Sequence, residues 1–465
     1  MPNGSTATTV IAELRAAAAA AGPGARLPSV RELMARHRAG PNTIQRALAQ
    51  LEAEGVVVAR PGRGTFAADR GAEPPAAPDL DWQAVALGDA RAPTQALADL
   101  LAPPQPDVIP LSYGYLEEGL QPQPLLRAAM ARAARRPDAW QRPPTEGLPA
   151  LRDWFARATG APLGAHDLVV TDGGQPALGA CFAALARPGA PVLVESPTYL
   201  GALAAARAAG LRVVPVPADA AGVRPDLLAD ALASTGARVF YCQPTFANPH
   251  GAVLAPERRA AVLEAVRAAG AFLIEDDWAR DFALDRPPPP PLVAEDRDGH
   301  VVHVRSLSKS AAPGLRIAAI AARGPAAARL RARRLVDELF VAGPLQHTAL
   351  EVVSAPGWPR HVRTLRTALR ARRDALLAAL DAHVPALRLP APPAGGLHVW
   401  ARLPDGTDAV EAARAALREG VLVSPGDPWF ADEPPAPFLR LTFAGAPPEA
   451  LAEGARRLGR ALRGW

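Results

Sequence analysis

The chain has 465 residues, of which 49% are hydrophobic and 21% charged, the proportions of a globular protein long enough for two or three domains. No stretch approaches the ~18 uninterrupted apolar residues of a membrane span, and the first residues do not resemble a secretion signal, so we expect a soluble, cytoplasmic protein without a membrane partner. Two cysteines without a CxxC pair and nine scattered histidines indicate neither a disulfide framework nor a metal site.

Charge is concentrated at the N-terminus. The formal net charge is +5, and residues 1–70 contribute +4 of it, from nine arginines against five acidic residues. An excess of this kind indicates a polyanionic partner, with a solvated arginine-rich surface as the alternative.

Residues 1–75 show the pattern of a small helical domain that ends in a hairpin. A first helix is predicted over residues 9–21. Ser29, with Glu32 three residues later, forms a capping box for a second helix, and Pro41 occupies a favoured first-turn position of a third. The third helix places Ile44, Leu48 and Leu51 on one face. VVVA and GTFAA then flank the glycine-containing turn RPGRG.

This order predicts a winged helix-turn-helix, in which one helix enters the major groove and wing arginines contact phosphate. A helical dimerisation module is the alternative, but side chains of the base-contacting type favour DNA. The candidate DNA-binding residues are Arg31, Asn42, Thr43, Gln45, Arg46, Arg60, Arg63 and Gly64. LPSVREL, TIQRALAQLEAEG and GRGTF resemble motifs of the GntR family of bacterial regulators. The family often has Ser-Arg where this chain has Gly40-Pro41.

Residues 76–90 are predicted to form a proline- and alanine-rich linker, and residues 91–465 a larger domain. Seven apolar runs of strand length alternate there with helical stretches: DLVV, PVLVES, LRVVPV, RVFYCQ, AFLIEDD, VVHVRSLS and RIAAIAA. The alternation predicts a doubly wound, mostly parallel sheet of the α/β class, with a smaller C-terminal α+β subdomain over about 345–465. The proline run 287–291 is expected to be an extended connection, with a polyproline II recognition site as the less favoured alternative.

Of the 51 lysine and arginine residues, one is a lysine, Lys309 in SLSKS. A guanidinium stays protonated, whereas a buried lysine amine can lose its proton and attack a carbonyl. A chance surface lysine is the alternative. Other stretches that could share a site with Lys309 would favour a functional role over it.

Four stretches supply such groups. TDGGQPAL follows a strand and opens a helix, so that the backbone amides of Gly173, Gly174 and Gln175 can bind an anion. One carboxylate of the pair Asp276 and Asp277 in IEDDW could hold a heterocyclic nitrogen protonated. Tyr199 in SPTY could stack on an aromatic ring, and Asn248 in NPHG could donate to a phenolate-like oxygen. Taken singly, each could also be a loop cap, a core tyrosine or an ordinary turn residue.

In this order the stretches resemble the class I and II aminotransferases of fold type I, over about residues 108–460. The resemblance implies pyridoxal 5'-phosphate, bound covalently by Lys309. It also implies phosphate contacts from Ser306, Ser308 and Arg316, roles for Asn248, Asp276 and Tyr199 at the cofactor's O3', ring nitrogen and ring face, and a carboxylate clamp at Arg440 in FLRLTFA. Two positions depart from the family: Trp278 replaces a tyrosine, and Arg142 stands where a tyrosine commonly reaches the neighbouring subunit's phosphate.

A GntR-like winged helix fused to such a domain resembles the MocR subfamily, which includes the GabR type. The resemblance implies a pyridoxal-phosphate-responsive transcription factor in the bacterial cytoplasm, associated with the nucleoid when bound to DNA. It implies a homodimer that contacts two operator half-sites and takes an amino acid or amine effector. Two alternatives stay open: a working aminotransferase with an appended DNA-binding domain, and a sensor of free pyridoxal phosphate.

Overall fold

A computed structural model describes residues 3–69, 78–88, 92, 94–103, 105–389 and 392–463. The chain divides into two compact units, Met1–Asp89 and Ala90–Trp465. The predicted linker over 76–90 lies partly outside the described residues, and its described part contains a short helix that the composition did not predict. Within the ranges described, no helix is both long and apolar enough to cross a membrane.

The N-terminal unit is a helix-turn-helix followed by a hairpin, as the sequence predicts. Its elements are α1 (Asn3–Ala21), α2 (Val30–His37), α3 (Pro41–Ala53), β1 (Val57–Arg60), β2 (Gly64–Ala67) and α4 (Asp81–Leu87). The Ser29 hydroxyl accepts from the amide of Glu32 at 3.3 Å, and the Glu32 carboxylate accepts from the amide of Ser29 at 2.7 Å, so both halves of the capping box form. Helix α1 begins at Asn3, earlier than predicted, because residues 3–8 contain no proline.

The apolar face of α3 forms the centre of this small core. Ile44 and Leu51 are fully buried against Leu33 of α2. Leu48 is half-buried and Ala47 takes its place in the core, because positions three and four residues apart both lie on one helix face. Burial of each leucine or isoleucine contributes about 1.5–3 kcal/mol, so this face positions α3.

The wing is the antiparallel pair of β1 and β2, in which Arg60 lies opposite Gly64. Gly64 has a φ of 109°, a conformation that side chains disfavour, and an added Cβ would lie 3.3 Å from Nε of Arg26. Glycine at this position therefore lets the wing turn back beside Arg26.

The C-terminal unit alternates helices and strands. Its elements are α5 (Gln95–Leu101), β3 (Ile109–Pro110), α6 (Gln123–Ala134), α7 (Pro149–Thr159), β4 (Leu168–Thr171), α8 (Gly174–Leu185), β5 (Pro191–Ser196), α9 (Leu200–Ala208), β6 (Arg212–Asp219), β7 (Gly222–Val223), α10 (Pro225–Thr235), β8 (Val239–Cys242), α11 (Pro256–Ala268), β9 (Phe272–Asp276), β10 (Val301–Ser306), β11 (Ala318–Ala321), α12 (Gly324–Glu338), α13 (Gly343–Ser354), α14 (Gly357–His383), β12 (His398–Arg402), α15 (Ala409–Arg418), β13 (Val421–Leu422), β14 (Ser424–Pro425), β15 (Phe438–Thr442) and α16 (Pro448–Ala461).

All seven predicted runs are strands of one eight-stranded sheet, in the order β4-β11-β10-β9-β8-β5-β6-β7. The pairs from β10 through β9, β8 and β5 to β6 are parallel, whereas β11 is antiparallel to both of its neighbours. Strands β4 and β8 are buried at every position, which explains their continuous apolar sequences. The proline run 287–291 is a connection without helix or strand, and Pro291 at its end is extended.

A three-stranded antiparallel sheet, β12-β15-β14, forms the smaller C-terminal subdomain together with α14, α15 and α16. Its core also contains residues from much earlier in the chain. Strand β3 pairs in parallel with β13, and Leu111 and Leu116 are buried among the residues of the subdomain. The limits predicted for this subdomain, about 345–465, therefore omit a segment that the fold brings back to it.

Strands β4, β8, β9 and β10 run in the same direction, so their carboxyl ends meet at one edge of the large sheet. Thr171, Gln243, Asp276 and Ser306 lie at or directly after these ends. Ligands of α/β sheets bind at such an edge, and the predicted site residues are gathered there.

Candidate functional site

Lys309 lies in the loop after β10, and its ammonium group is confined by protein atoms. Nζ donates to the carbonyl of Gly114 at 2.6 Å and lies 3.5 Å from the ring centroid of Tyr115. Burial lowers the pKa of Lys309 to about 7, and the guanidinium groups of Arg440 and Arg316 lower it further than Asp276 raises it. At neutral pH a large fraction of this amine is therefore uncharged and nucleophilic.

Asp276, the last residue of β9, presents its carboxylate to the same cavity. One carboxylate oxygen accepts hydrogen bonds from the Tyr241 hydroxyl and the Gln243 side-chain amide, both at 2.8 Å. Burial raises the pKa of Asp276 to about 6, although these two hydrogen bonds oppose the shift. The group is mostly ionised at neutral pH and is held in one orientation.

Asp277 points to the opposite face of the sheet, as alternation along a strand requires. Its carboxylate pairs with Arg280 and lies 3.3 Å from Nε2 of His303. Burial raises the pKa of Asp277, but His303 and Arg280 outweigh it and hold the pKa well below its usual range. The adjacent acids therefore have different roles, and Asp277 is a structural anion.

An anion cradle opens at the N-terminus of α8. Gly173 caps the helix with a φ of 101°, and Gly174 and Gln175 form its first turn. An added Cβ at Gly173 would lie 2.5 Å from Nη2 of Arg316, so only glycine lets the guanidinium approach. The cradle thus combines helix-terminal amides with a cation, as a phosphate site requires.

The cradle also includes two serines, Ser306 and Ser308, beside Arg316. Arg316 adopts a left-handed backbone conformation and donates to the carbonyl of Asp172 at 2.9 Å, which fixes its guanidinium. Ser306 accepts at its hydroxyl from the amide of Ser308 at 3.1 Å. The Ser308 hydroxyl is buried and has no hydrogen-bond partner among the residues described, so it remains available to a ligand.

Tyr199 and Asn248 are held in place by neighbours. The Tyr199 hydroxyl donates to the Gln175 side-chain oxygen at 3.1 Å. The backbone amide of Asn248 donates to the Gln243 side-chain oxygen at 2.9 Å, and its own side-chain oxygen accepts from Arg440 at 3.2 Å. The NH₂ group of Asn248 forms no hydrogen bond within the described part of the chain and lines the cavity.

Arg440 is a buried cation with donors to spare. Nη1 donates to Asn248 and contacts Nε2 of His398, both at 3.2 Å, and Nη2 donates to the Ser112 carbonyl. Nε has no partner in the described structure. Burial lowers the pKa of Arg440 to about 9, because no carboxylate of a described residue neutralises the guanidinium in this buried position. The Nε–H and a second Nη2–H are left to bind a carboxylate in the bidentate manner.

One cavity joins most of the predicted cofactor and effector residues. Its lining comprises Gly174, Gln175, Tyr199, Asn248, Asp276, Ser306, Ser308, Lys309, Arg316 and Arg440, and Gly173 caps the helix beside it. Residues that the sequence did not assign also line it: Leu100, Leu101, Gly114, Tyr115, Gln243 and His398, with Trp278. The alternation of Tyr241 and Gln243 in RVFYCQ could have indicated the support of Asp276. The lining residues between positions 100 and 115 belong to no sequence motif that could have indicated them.

The predicted DNA-binding residues lie on the surface of the N-terminal unit. Asn42, Gln45 and Arg46 are exposed on α3, whereas Thr43 is half-buried. Arg31 on α2 and Arg60, Arg63 and Gly64 at the wing are exposed too, and the Arg60 guanidinium lies 4.9 Å from the centroid of the Phe66 ring. None of these arginines forms an ion pair with a residue that the structure describes.

The fold and both sites define a two-part protein. Residues 106–458 match the family "Aminotransferase class I and II", and residues 6–67 match "Bacterial regulatory proteins, gntR family". The chain belongs to the class I and II aminotransferase family and carries a GntR-type winged helix at its N-terminus, the combination of GntR-type transcriptional regulators fused to an aminotransferase-like domain.

Individual relatives fall in both groups. The 2-aminoadipate transaminase of Thermus thermophilus is 33% identical over 83% of this chain and 98% of its own length. The uncharacterized HTH-type transcriptional regulator YdfD of Bacillus subtilis is 26% identical over 94% of this chain and 91% of its own. Among solved structures, LysN, the α-aminoadipate aminotransferase of T. thermophilus complexed with N-(5'-phosphopyridoxyl)-L-leucine, has a TM-score of 0.77 and 32% identity, covering 83% of this chain and 99% of that one.

Pyridoxal 5'-phosphate is the cofactor of this family, which confirms the cofactor expected from the sequence. The residues of this chain fit the group on structural grounds. The unpartnered Ser308 hydroxyl and Arg316 lie near the N-terminus of α8. The buried carboxylate of Asp276 and the Lys309 amine with its lowered pKa line the same cavity.

Proposed function

We propose that this protein is a cytoplasmic, pyridoxal-phosphate-dependent transcriptional regulator whose DNA affinity responds to an amino acid bound in the aminotransferase-like domain. The observation that carries the proposal is that Lys309 and Arg440 line one cavity, in a chain that also has a DNA-binding fold, and that Nε of Arg440 has no partner among the described residues. An amine and a carboxylate of one ligand can therefore be held at once.

Each residue of the cavity has a separate proposed role. The cofactor, when bound, supplies an aldehyde carbon that combines with amines and a ring that accepts electrons. Lys309 would offer its neutral amine to that carbon and would hold a proton when it is not bonded there. Asp276 would keep the ring nitrogen protonated, and Ser306, Ser308 and Arg316 would hold the phosphate together with the amides of Gly173, Gly174 and Gln175. Tyr199 would cover the ring, and Asn248 would donate to O3'.

Arg440 would bind the carboxylate of the effector, and the Lys309 amine would hold a proton in the cavity when the effector's amine takes its place. A ligand shifts a conformational equilibrium only by its differential affinity for the two states. We propose that the protein is a homodimer and that the filled cavity favours one arrangement of it, so that the two winged helices meet two operator half-sites with altered affinity.

The covalent part of the proposal is tested by absorbance. The purified protein should be yellow, and borohydride should bleach the band by reducing the bond to Lys309. After borohydride reduction the parent should keep the cofactor attached through denaturation, as a secondary amine at Lys309. Lys309→Ala removes the only lysine, so the variant should take up the cofactor non-covalently and release it on denaturation after the same treatment. A variant that retains the reduced cofactor after denaturation would contradict the role of Lys309.

DNA binding is tested by fluorescence anisotropy, with duplexes selected by the full-length protein from a random library. Arg46→Ala should weaken binding by about 1–3 kcal/mol and relax specificity at one base pair, as expected for a base contact. Arg63→Ala should weaken all duplexes alike. Arg15→Ala removes the same charge from an arginine that pairs with Glu54, and it is the matched control. If neither cofactor nor any amino acid changes the anisotropy, regulation by this cavity is wrong; a response to cofactor alone would indicate a sensor of free pyridoxal phosphate.

Transaminase activity is the second candidate function, since Lys309 titrates near neutrality and can carry a proton to and from the α-carbon. Single-turnover formation of the pyridoxamine form upon addition of an amino acid would support it. Absence of that product, together with a spectral response, would assign the cavity to sensing alone.

A further inference from the structure

We infer that Arg26 contacts the DNA backbone and forms, together with Arg60, a two-arginine phosphate site on the outer face of the wing. The inference rests on the proposed function and adds to it a residue that the sequence did not assign to DNA. It follows from a third strand beside the wing, from the side chains that share one face of the resulting sheet, and from the charges on that face.

Residues 24–27 lie beside β2 as a short third strand of the wing. The amide of Leu27 donates to the carbonyl of Thr65 at 2.9 Å, and Arg26 lies opposite Phe66 in an antiparallel bridge. Strand β1 pairs with the other edge of β2. Strand β2 is therefore the middle strand, and the backbone of Arg26 is held in register with it.

Arg26, Arg60 and Phe66 share one face of this three-stranded sheet. Residues directly opposite each other point to the same side, and so do residues two apart along a strand. Arg26 is opposite Phe66. Gly64 precedes Phe66 by two positions, and Arg60 is opposite Gly64. Thr65 points to the other face and is buried, whereas both arginines are exposed, so the shared face is the outer one.

Both guanidinium groups lie over the middle strand. The Arg60 guanidinium lies 4.9 Å from the centroid of the Phe66 ring, which holds it by a cation–π contact. A Cβ added at Gly64 would lie 3.3 Å from Nε and 3.7 Å from Nη2 of Arg26, so this guanidinium covers the bare backbone of Gly64. Positions two apart on a strand are separated by about 6.6 Å. The two cations are therefore neighbours, and Gly64 has no side chain that would keep a phosphate from them.

Both cations are without an ion-pair partner in the part of the chain that the structure describes. The ion pairs of the N-terminal unit join Arg15 to Glu54, and Arg36 and His37 to Glu13. The backbone amide of Ser29 is the main cause of the lowered pKa of Glu32, and Arg26 contributes less, so this acid belongs to the capping box. Two like charges on one exposed face favour an anion between them, and a guanidinium binds phosphate through two parallel N–H donors. Duplex DNA supplies a row of such anions and is the ligand proposed for the helix-turn-helix beside the wing.

The test is fluorescence anisotropy of the full-length protein with two labelled duplexes, one of random sequence and one selected by the parent, at about 0.05 to 0.2 M KCl. Each lost phosphate contact reduces the slope of log K against log salt by about 0.9, so Arg26→Gln should weaken the binding of both duplexes roughly eightfold at about 0.1 M KCl. Arg60→Gln should do the same, and the double variant should lose about twice the slope. Arg26→Lys keeps a charge that binds phosphate and should retain most of the slope. Arg15→Gln, at an arginine that pairs with Glu54, is the matched control and should leave the slope nearly unchanged.

The parent's affinity and slope in Arg26→Gln, while Arg46→Ala still weakens binding, would overturn this inference and leave the proposed function standing. An equal loss in Arg15→Gln would also overturn it, since net charge and not a contact would then be responsible. So would a loss confined to the selected duplex, because a phosphate contact does not depend on sequence. If the parent protein binds neither duplex, the inference and the proposed function are both wrong.

Discussion

Replacement of Arg440 by lysine tests the carboxylate clamp while it keeps the positive charge. Arginine offers Nε–H and an Nη2–H on one edge, whereas lysine offers a point charge without a fork. The loss of the paired geometry should weaken the binding of a carboxylate ligand by about 2–3 kcal/mol. This corresponds to a roughly 30- to 150-fold rise in Kd.

The measurement compares two ligands that differ only in the carboxylate. L-leucine and 3-methylbutylamine share the amine and the side chain, and both are titrated against the absorbance of the cofactor-loaded protein. In Arg440→Lys the Kd for leucine should rise by the stated factor, and the Kd for the amine should change by less than about threefold. Arg418→Lys, at an exposed arginine of α15, is the control for the exchange itself.

An equal loss for both ligands would refute the reasoning, because it would mean that the substitution damages the cavity rather than the clamp. An unchanged Kd for leucine would refute it as well, since the carboxylate would then bind elsewhere.

Three further predictions concern Lys309, the anion cradle and the small core. The rate at which pyridoxal phosphate combines with the apo-protein, measured by stopped-flow absorbance, should rise with pH and level off above about 7. The reason is that the lowered pKa leaves the Lys309 amine neutral above that pH. A rate that continues to rise toward pH 10 would indicate a lysine with an ordinary pKa. Gly173→Ala should weaken phosphate binding at least about tenfold in a cofactor titration by displacing Arg316, whereas Gly179→Ala, in the same helix with open space at its Cβ, should bind normally and be no less stable. Leu51→Ala should lower the free energy of unfolding of the N-terminal unit by about 2–5 kcal/mol in urea denaturation, and a loss below about 1 kcal/mol would contradict its place in the core.

Local patterns predicted the elements that depend on local interactions. Strands such as β4 and β8 were predictable because a strand covered on both faces must be apolar throughout. The capping box of α2 was predictable because the side chains of Ser29 and Glu32 each accept from the other's backbone amide. The short helix α4 was not predicted, because proline and alanine are frequent around it and the whole stretch was therefore assigned to a linker. Its own segment, DWQAVAL, contains no proline.

The site was predictable where a motif follows a strand and not where the fold returns a distant segment. Asp276 and Ser306 end strands of one sheet, so topology alone brings them together. Leu100 and Tyr115 reach the cavity from before the sheet begins, and His398 from the smaller subdomain. The family resemblance implied Asp276 rather than Asp277, and the structure supplies the physical reason, because alternation places only Asp276 on the side of the cavity.

The presence of one lysine in the whole chain gives the protein a built-in spectroscopic probe. Biosynthetic incorporation of lysine labelled with ¹⁵N at the ε position would place a single side-chain nucleus in a protein of 48.4 kDa, at Lys309. Its chemical shift would follow protonation of that one nitrogen, formation of its carbon bond and displacement by a ligand, without assignment of any other signal. Because every other Lys or Arg position is an arginine, each state of the cavity can be followed in the intact, DNA-bound regulator.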